Sequence, residues 1–308
     1  MKILITGANG FVGRALCRNL HAHGHIVVPA VRKPSGLDDE IIVGDIGPSS
    51  DWTKPLNGCD AVVHLAARVH LMDDQAENPS ALYRLANTDA TLNIARQTAE
   101  AGVKRFVFVS TIKVNGEGRS TPYRETDVPA PEGPYAVSKW EAEQGLRRLA
   151  AEIGLEVVVL RPPLVYGPGV KANFQRLARA VRRGWPLPLG AIDNRRSLLY
   201  LGNLVDAIRL CAERSDAAGQ TFLLDDGNPI STPDLIRAMA HAMGRKPRIL
   251  KTPLPLLEAA GGFLGRRKAV ARLTGSLFVD SSAIRSHLGW TPPFSMETGL
   301  KETLAGLL

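Results

Sequence analysis

A chain of 308 residues, 44% hydrophobic and 22% charged, can bury a sizeable core and has the balance of a globular rather than a disordered protein. Its three cysteines, Cys17, Cys59 and Cys211, are widely spaced and form no Cys-x-x-Cys pair, which argues against a disulfide framework or zinc site and fits a reducing cytosol. The net charge of +8 comes from 38 basic and 30 acidic residues with no long Lys/Arg block and no nucleic-acid-binding motif, so nucleic acid is not an expected partner.

The opening run Met1-Lys2-Ile3-Leu4-Ile5-Thr6-Gly7 has too short an apolar core for a secretory signal. No stretch reaches the ~18 apolar residues of a membrane span. A cytoplasmic location is expected. Strand-length apolar or β-branched runs follow at 2–6, 26–31, 41–43, 61–65, 105–110 and 157–161. Between them Val12, Ala15, Leu16 and Leu20 recur at helical spacing, as do Trp140, Leu146, Leu149, Ala150 and Ile153. Apolar strands alternating with amphipathic helices give an α/β fold, a doubly wound parallel sheet of the Rossmann type. After Gly167 the alternation breaks and Pro and Gly become frequent. Residues 1–166 and 197–226 are expected to form the dinucleotide-binding domain, and 167–196 and 227–308 a smaller C-terminal substrate lobe.

Gly7, Gly10 and Gly13 lie between the first strand and the first helix, with Phe11 and Val12 inside the motif. There they allow a tight turn and close approach of a pyrophosphate to a helix N-terminus. The second strand ends Val31-Arg32-Lys33, with no carboxylate to bind a ribose 2′-hydroxyl. Arg32 is read as a contact to the 2′-phosphate of NADP(H); the other reading is two exposed basic residues starting a loop. Asp45, in Gly44-Asp45-Ile46, is a candidate contact to the adenine amino group or an ordinary turn aspartate. Farther on, Tyr135 and Lys139 share one face of a helix opened by Pro134, where a nearby ammonium lowers a phenol's pKa toward neutrality. Ser110-Thr111 closes a strand at the sheet edge where ligands bind.

Together with His64-Leu65-Ala66-Ala67 and Arg161-Pro162-Pro163-Leu164-Val165-Tyr166-Gly167-Pro168-Gly169, these segments resemble, in order and rough spacing, the extended short-chain dehydrogenases/reductases (the NAD-dependent epimerase/dehydratase family). The resemblance implies a seven-stranded nucleotide-binding domain, a lobe closing on a nucleoside-diphosphate sugar, and a homodimer. It makes Thr111 the catalytic hydroxyl, ahead of Ser110, and Tyr135 the proton donor or acceptor. Lys139 would tune Tyr135 and hold the nicotinamide ribose. Ile46, Leu65, Ala66 and Ala67 would line the cofactor, and Asn87, Asn173, Arg196 and Arg272 the substrate. Asn173 is equally readable as an Asx turn or cap, and Arg195 is the fallback for Arg196. The family chemistry needs no histidine, so His64 is read as structural. Two departures, Asn115 where Tyr is usual and Leu164 where galactose epimerases carry Asn, alter groups expected near the sugar.

Within that family the resemblance is to bacterial polysaccharide (lipopolysaccharide, O-antigen) enzymes: reductases of UDP-4-keto-6-deoxy-N-acetylhexosamines and UDP-glucose or UDP-N-acetylglucosamine 4-epimerases with tightly bound NAD. Arg32 tips the expectation toward an NADPH-dependent reductase, with the epimerase as alternative. A dehydratase would place acidic residues after the catalytic hydroxyl, where this chain has Ile112-Lys113. A non-enzymatic nucleotide-binding protein would not need the retained Thr111, Tyr135 and Lys139. No metal site is expected. The apolar run 254–264, followed by Arg266, Arg267 and Lys268, reads as cover for the substrate lobe or as a membrane-surface helix; stable insertion is not expected.

Overall fold

β-Branched and aliphatic runs form β1 (Lys2–Thr6), β2 (Ile26–Val31), β3 (Ile41–Ile42), β4 (Ala61–His64), β5 (Arg105–Val109), β6 (Glu156–Arg161), β7 (Leu164–Tyr166), β8 (Leu198–Tyr200) and β9 (Thr221–Leu223) in a computed structural model that describes residues 1–69, 78–263, 265 and 267–306. Helices α1 (Phe11–Ala22), α2 (Thr53–Leu56), α3 (Pro79–Arg84), α4 (Ala90–Glu100), α5 (Gly133–Ile153), α6 (Ala172–Arg182) and α7 (Leu201–Glu213) connect them. Helices α8 (Thr232–Ala242), α9 (Leu254–Phe263), α10 (Arg267–Thr274), α11 (Ser282–Leu288) and α12 (Met296–Ala305) follow.

The main sheet has seven strands in the order β3-β2-β1-β4-β5-β6-β9, every neighbouring pair parallel. Alternation within strands feeds two cores. Ile3, Ile5, Val63 and Val107 pack under α1, α7 and α11 through Leu16, Leu20, Leu204, Ile208 and Ile284. Leu4, Val62, Phe106 and Phe108 face α4 and α5 through Ile94, Ala95, Leu146 and Leu149. Strand order reverses between β1 and β4, so their C-terminal loops open the crevice where a doubly wound sheet takes its ligand. Cys17, Cys59 and Cys211 are buried and free.

The return to the sheet expected over 197–226 is narrower than that. Only β9 rejoins it, because β8 pairs with β7 in a separate two-stranded sheet. That small sheet carries a third core, in which Tyr166, Phe174, Tyr200, Leu235, Met239 and Leu300 join α6, α8 and α12. Helix α9 meets its expectation only in part. Leu257 packs against this third core as cover for the lobe, but Leu254, Leu256 and Phe263 are exposed; Leu264 and Arg266, at the end of that run, lie outside the described residues. No helix among the described residues is long and apolar enough to cross a membrane.

Candidate active site

At the end of β1 the chain turns through Gly7 with φ +67°, and a Cβ there would lie 3.0 Å from the Ala66 nitrogen. At Gly13 a Cβ would lie 2.3 Å from the Gly7 carbonyl oxygen, so α1 approaches the loop this closely only with glycine. Gly10 is the exposed N-cap of α1, no side chain caps that turn, and the first turn carries no acid. The turn formed by Phe11, Val12 and Gly13 therefore has the unoccupied amides and positive dipole end that a pyrophosphate binds, and the cradle fits a dinucleotide.

Arg32 projects from the end of β2 and is 68% exposed; its Nη1 lies 3.5 Å from Oδ1 of Asp45, itself 90% exposed. The sequence offers no acid at this strand end, yet the fold supplies one from the neighbouring strand's loop. Ile46 packs its side chain against the core rather than standing free.

The loop after β4 is held by a buried relay. Thr6 Oγ1 accepts the Leu65 and Ala66 amides at 3.2 and 3.1 Å and therefore donates to His64 Nδ1 at 2.8 Å. Thr91 donates to the Asn87 carbonyl, so its hydroxyl accepts from His64 Nε2 at 3.0 Å, which fixes the Nε2–H tautomer. Burial, assisted by the Lys139 charge, pushes the His64 ring down to about 3, so it stays neutral. His64 thus fixes the loop carrying Leu65, Ala66 and Ala67.

Asn87, expected to touch substrate, is engaged within the protein. It is fully buried; Oδ1 accepts from the Arg68 amide at 2.7 Å, and Nδ2 donates to the Arg68 carbonyl and to Ser138 Oγ, both at 3.0 Å. With both amide protons committed inside the protein, it ties the β4 loop to α5. Ser138 continues the link by donating to the Tyr135 carbonyl at 2.9 Å.

Thr111 is extended at the end of β5 and caps a short turn through the Lys113 amide. Ser110 is committed elsewhere, donating to Glu143 Oε1 at 2.5 Å. Thr111 is the one of the two whose hydroxyl donates to no other group among the described residues. On α5, Tyr135, Lys139 and Glu143 follow at intervals of four and share one face. Lys139 Nζ sits 3.9 Å from the centre of the Phe108 ring. Burial pushes its ammonium down to about 7, against the raising influence of Glu143. The lowered phenol pKa expected for Tyr135 is absent: burial, reinforced by Tyr83, pushes it up to about 12. Burying the protonated lysine costs stability in full below pH 7; between pH 7 and its ordinary 10.5 folding releases the proton, and the cost fades as pH rises. Lys139→Met is therefore expected to raise the melting temperature most at acid pH, with the gain vanishing toward alkaline pH, while activity is lost. Thermal melts across that range check it.

Asn115, expected near the sugar, is buried. Its Oδ1 accepts from Arg161 Nη1 at 3.0 Å, deep in the network that also holds Glu143. Leu164 begins β7 and is exposed. In the C-terminal lobe, Asn173 lies exposed in the first turn of α6; Lys171 occupies the N-cap, and no side chain caps the turn, so the cap reading for Asn173 does not hold. Arg196 donates to the carbonyls of Arg272 and Gly275 at 2.6 and 3.1 Å, which brings two of the expected substrate residues together. Arg195 instead stacks over Phe278, 4.6 Å from the ring centre. Sequence reading missed the parts played by Ser138 and Glu143; the four-residue step from Lys139 to Glu143 was the available signal.

The model of the NAD dependent epimerase/dehydratase family matches residues 3–224. A UDP-glucose 4-epimerase of Vibrio cholerae is 45% identical over 313 residues, covering 100% of this chain and 95% of that one. An N-acetyl-alpha-D-glucosaminyl-diphospho-ditrans,octacis-undecaprenol 4-epimerase of Escherichia coli O157:H7 is 26% identical over 98% of this chain and 94% of its own. Among solved structures, MoeE5 in complex with UDP-glucuronic acid and NAD superposes with a TM-score of 0.80 at 28% identity, covering 100% of this chain and 99% of that one. The family match spans well over half of the chain, and the chain belongs to the NAD dependent epimerase/dehydratase family.

Proposed function

We propose that this enzyme is a UDP-hexose 4-epimerase that inverts the C4 hydroxyl of a glucose-type sugar, with or without a 2-acetamido group, using resident NAD. The observation that carries this reading is the 45% identity, over the whole chain, to the Vibrio cholerae UDP-glucose 4-epimerase. It displaces the reductase favoured from sequence, whose support was Arg32 alone. The Asp45 carboxylate 3.5 Å from Arg32 offsets that cation and opposes a second phosphate, which favours NAD over NADP.

When bound in the glycine cradle, NAD supplies the acceptor and later the donor of the C4 hydride. Thr111 holds the C4 oxygen by a hydrogen bond. Tyr135 takes the proton of the 4-hydroxyl and returns it to the same oxygen, and Lys139 stabilises its phenolate. Arg196, with Arg272 beside it, pairs with the diphosphate through its planar fork, while the sugar turns between the two transfers.

Purified protein given UDP-glucose or UDP-N-acetylglucosamine without added cofactor should form the C4 epimer, and in heavy water C4 should gain no deuterium. No C4 epimer from these sugars, together with mole-for-mole oxidation of NADPH on a UDP-4-keto-6-deoxy-N-acetylhexosamine, would return the reductase. Arg32→Ala should leave NAD affinity unchanged; native preference for NADP by about tenfold or more, lost in this variant, would restore the 2′-phosphate contact.

A further inference from the structure

The surplus positive charge of the chain is concentrated in one segment. Residues 245–274 hold eight of the 38 basic residues and one of the 30 acidic ones, a net +7 out of +8. Arg245, Lys246, Arg248, Lys251, Arg267 and Arg272 are exposed, and none ion-pairs with an acidic residue among the described residues. Helix α9 lies within this segment. Its sequence, Leu-Pro-Leu-Leu-Glu-Ala-Ala-Gly-Gly-Phe, is apolar on nearly every side, and such a helix is ordinarily buried. Here Leu256 is 61% and Phe263 95% exposed, and Leu250 just before the helix is 54% exposed. Trp185, also exposed, stands two residues before Leu187, which bridges to Ile249 and so adjoins the same segment.

We propose that α9, its flanking cations and Trp185 form a face that docks the protein peripherally on an anionic lipid bilayer. At 1.5 Å per residue a ten-residue helix is about 15 Å long, half the ~30 Å hydrocarbon core, so it lies in the interface rather than spanning it. Leucine and phenylalanine enter the acyl boundary while arginine and lysine pair with headgroup phosphates, and tryptophan favours the depth between them. Nucleic acid would attract the cations but gain nothing from Leu256 and Phe263. A second copy of the chain would set this +7 segment against its like. Arg196 is hydrogen-bonded to the Arg272 carbonyl, so the docking face and the candidate diphosphate site share α10. Docking does not depend on the proposed reaction, and its failure would leave that reading untouched.

The test sediments the full-length protein with vesicles of phosphatidylcholine alone and of phosphatidylcholine mixed with phosphatidylglycerol. Binding is expected to the anionic vesicles, to weaken with salt, and to shift tryptophan emission to the blue in the native protein but not in Trp185→Phe. The double variant Leu256→Glu/Phe263→Glu should bind at least about tenfold more weakly, with melting temperature and turnover of a soluble nucleotide sugar unchanged because both side chains are exposed. Protein that stays in the supernatant with anionic vesicles at low salt overturns the proposal. So does a double variant that binds vesicles like the native protein, including one that instead loses self-association or a protein partner.

Discussion

Tyr135→Phe is expected to lower kcat for epimerisation by about a hundred- to ten-thousandfold while leaving NAD affinity and the melting temperature near native values. The substitution removes one oxygen and keeps the ring, which packs edge-on to Tyr83 with centroids 6.3 Å apart. What disappears is the group that moves the proton of the 4-hydroxyl. No neighbour replaces it: Ser110 is committed to Glu143, and His64 is held neutral between Thr6 and Thr91. With burial pushing the phenol up to about 12, the oxidative step in the native enzyme should also quicken as pH rises, because the phenolate fraction grows. That rise should vanish in Tyr135→Phe. Steady-state rates over a pH series with both proteins test the two statements, and a variant within tenfold of native kcat would remove Tyr135 from the chemistry.

The parts of the site that were legible in the sequence are those whose geometry is local. Gly7, Gly10 and Gly13 declare a strand-to-helix turn by their spacing between an apolar run and an amphipathic one, and Tyr135 and Lys139 meet because four residues make about one helical turn. Contacts set by the sheet were not legible. Arg32 and Asp45 meet because β2 and β3 run parallel with Val31 opposite Ile42, which brings the two following loops together. Asn115 read as an altered sugar contact because its partner, Arg161, lies 46 residues away on β6. Asn87 read as a substrate ligand because nothing local shows that Ser138 and Arg68 consume its amide. In the lobe, helices α8 and α12 were announced by Ser231 and Ser295, whose hydroxyls accept the Asp234 and Thr298 amides, but without strand alternation to frame them these caps went unread. The charge of residues 245–274 was missed for a simpler reason: no single block is long, and only a count over the whole segment reveals it.

Removing Glu143 alone is expected to destabilise the protein by about 3–5 kcal/mol, and removing Arg161 with it to restore much of that loss. The two side chains are essentially inaccessible. Arg161 Nη2 donates to Glu143 Oε2 at 2.5 Å and Nε to Oε1 at 3.0 Å, while Ser110 supplies a further donor to the carboxylate. Glu143→Ala leaves a guanidinium in the core with only Asn115, among the described residues, to accept from it, whereas Glu143→Leu/Arg161→Met removes both charges and roughly keeps the volume. Chemical denaturation of the single and double variants measures the difference; a double variant as unstable as Glu143→Ala would mean that the cost lies in packing and not in the orphaned charge. Activity should follow a different course. Glu143 is the nearby carboxylate that favours the Lys139 ammonium against burial, and the double variant does not replace it. Its kcat should therefore stay low when its stability returns, most of all above neutral pH, where the remaining ammonium is lost first. Recovery of stability without recovery of rate would assign Glu143 two separable jobs: joining α5 to the ends of β5 and β6, and keeping the lysine charged beside Tyr135.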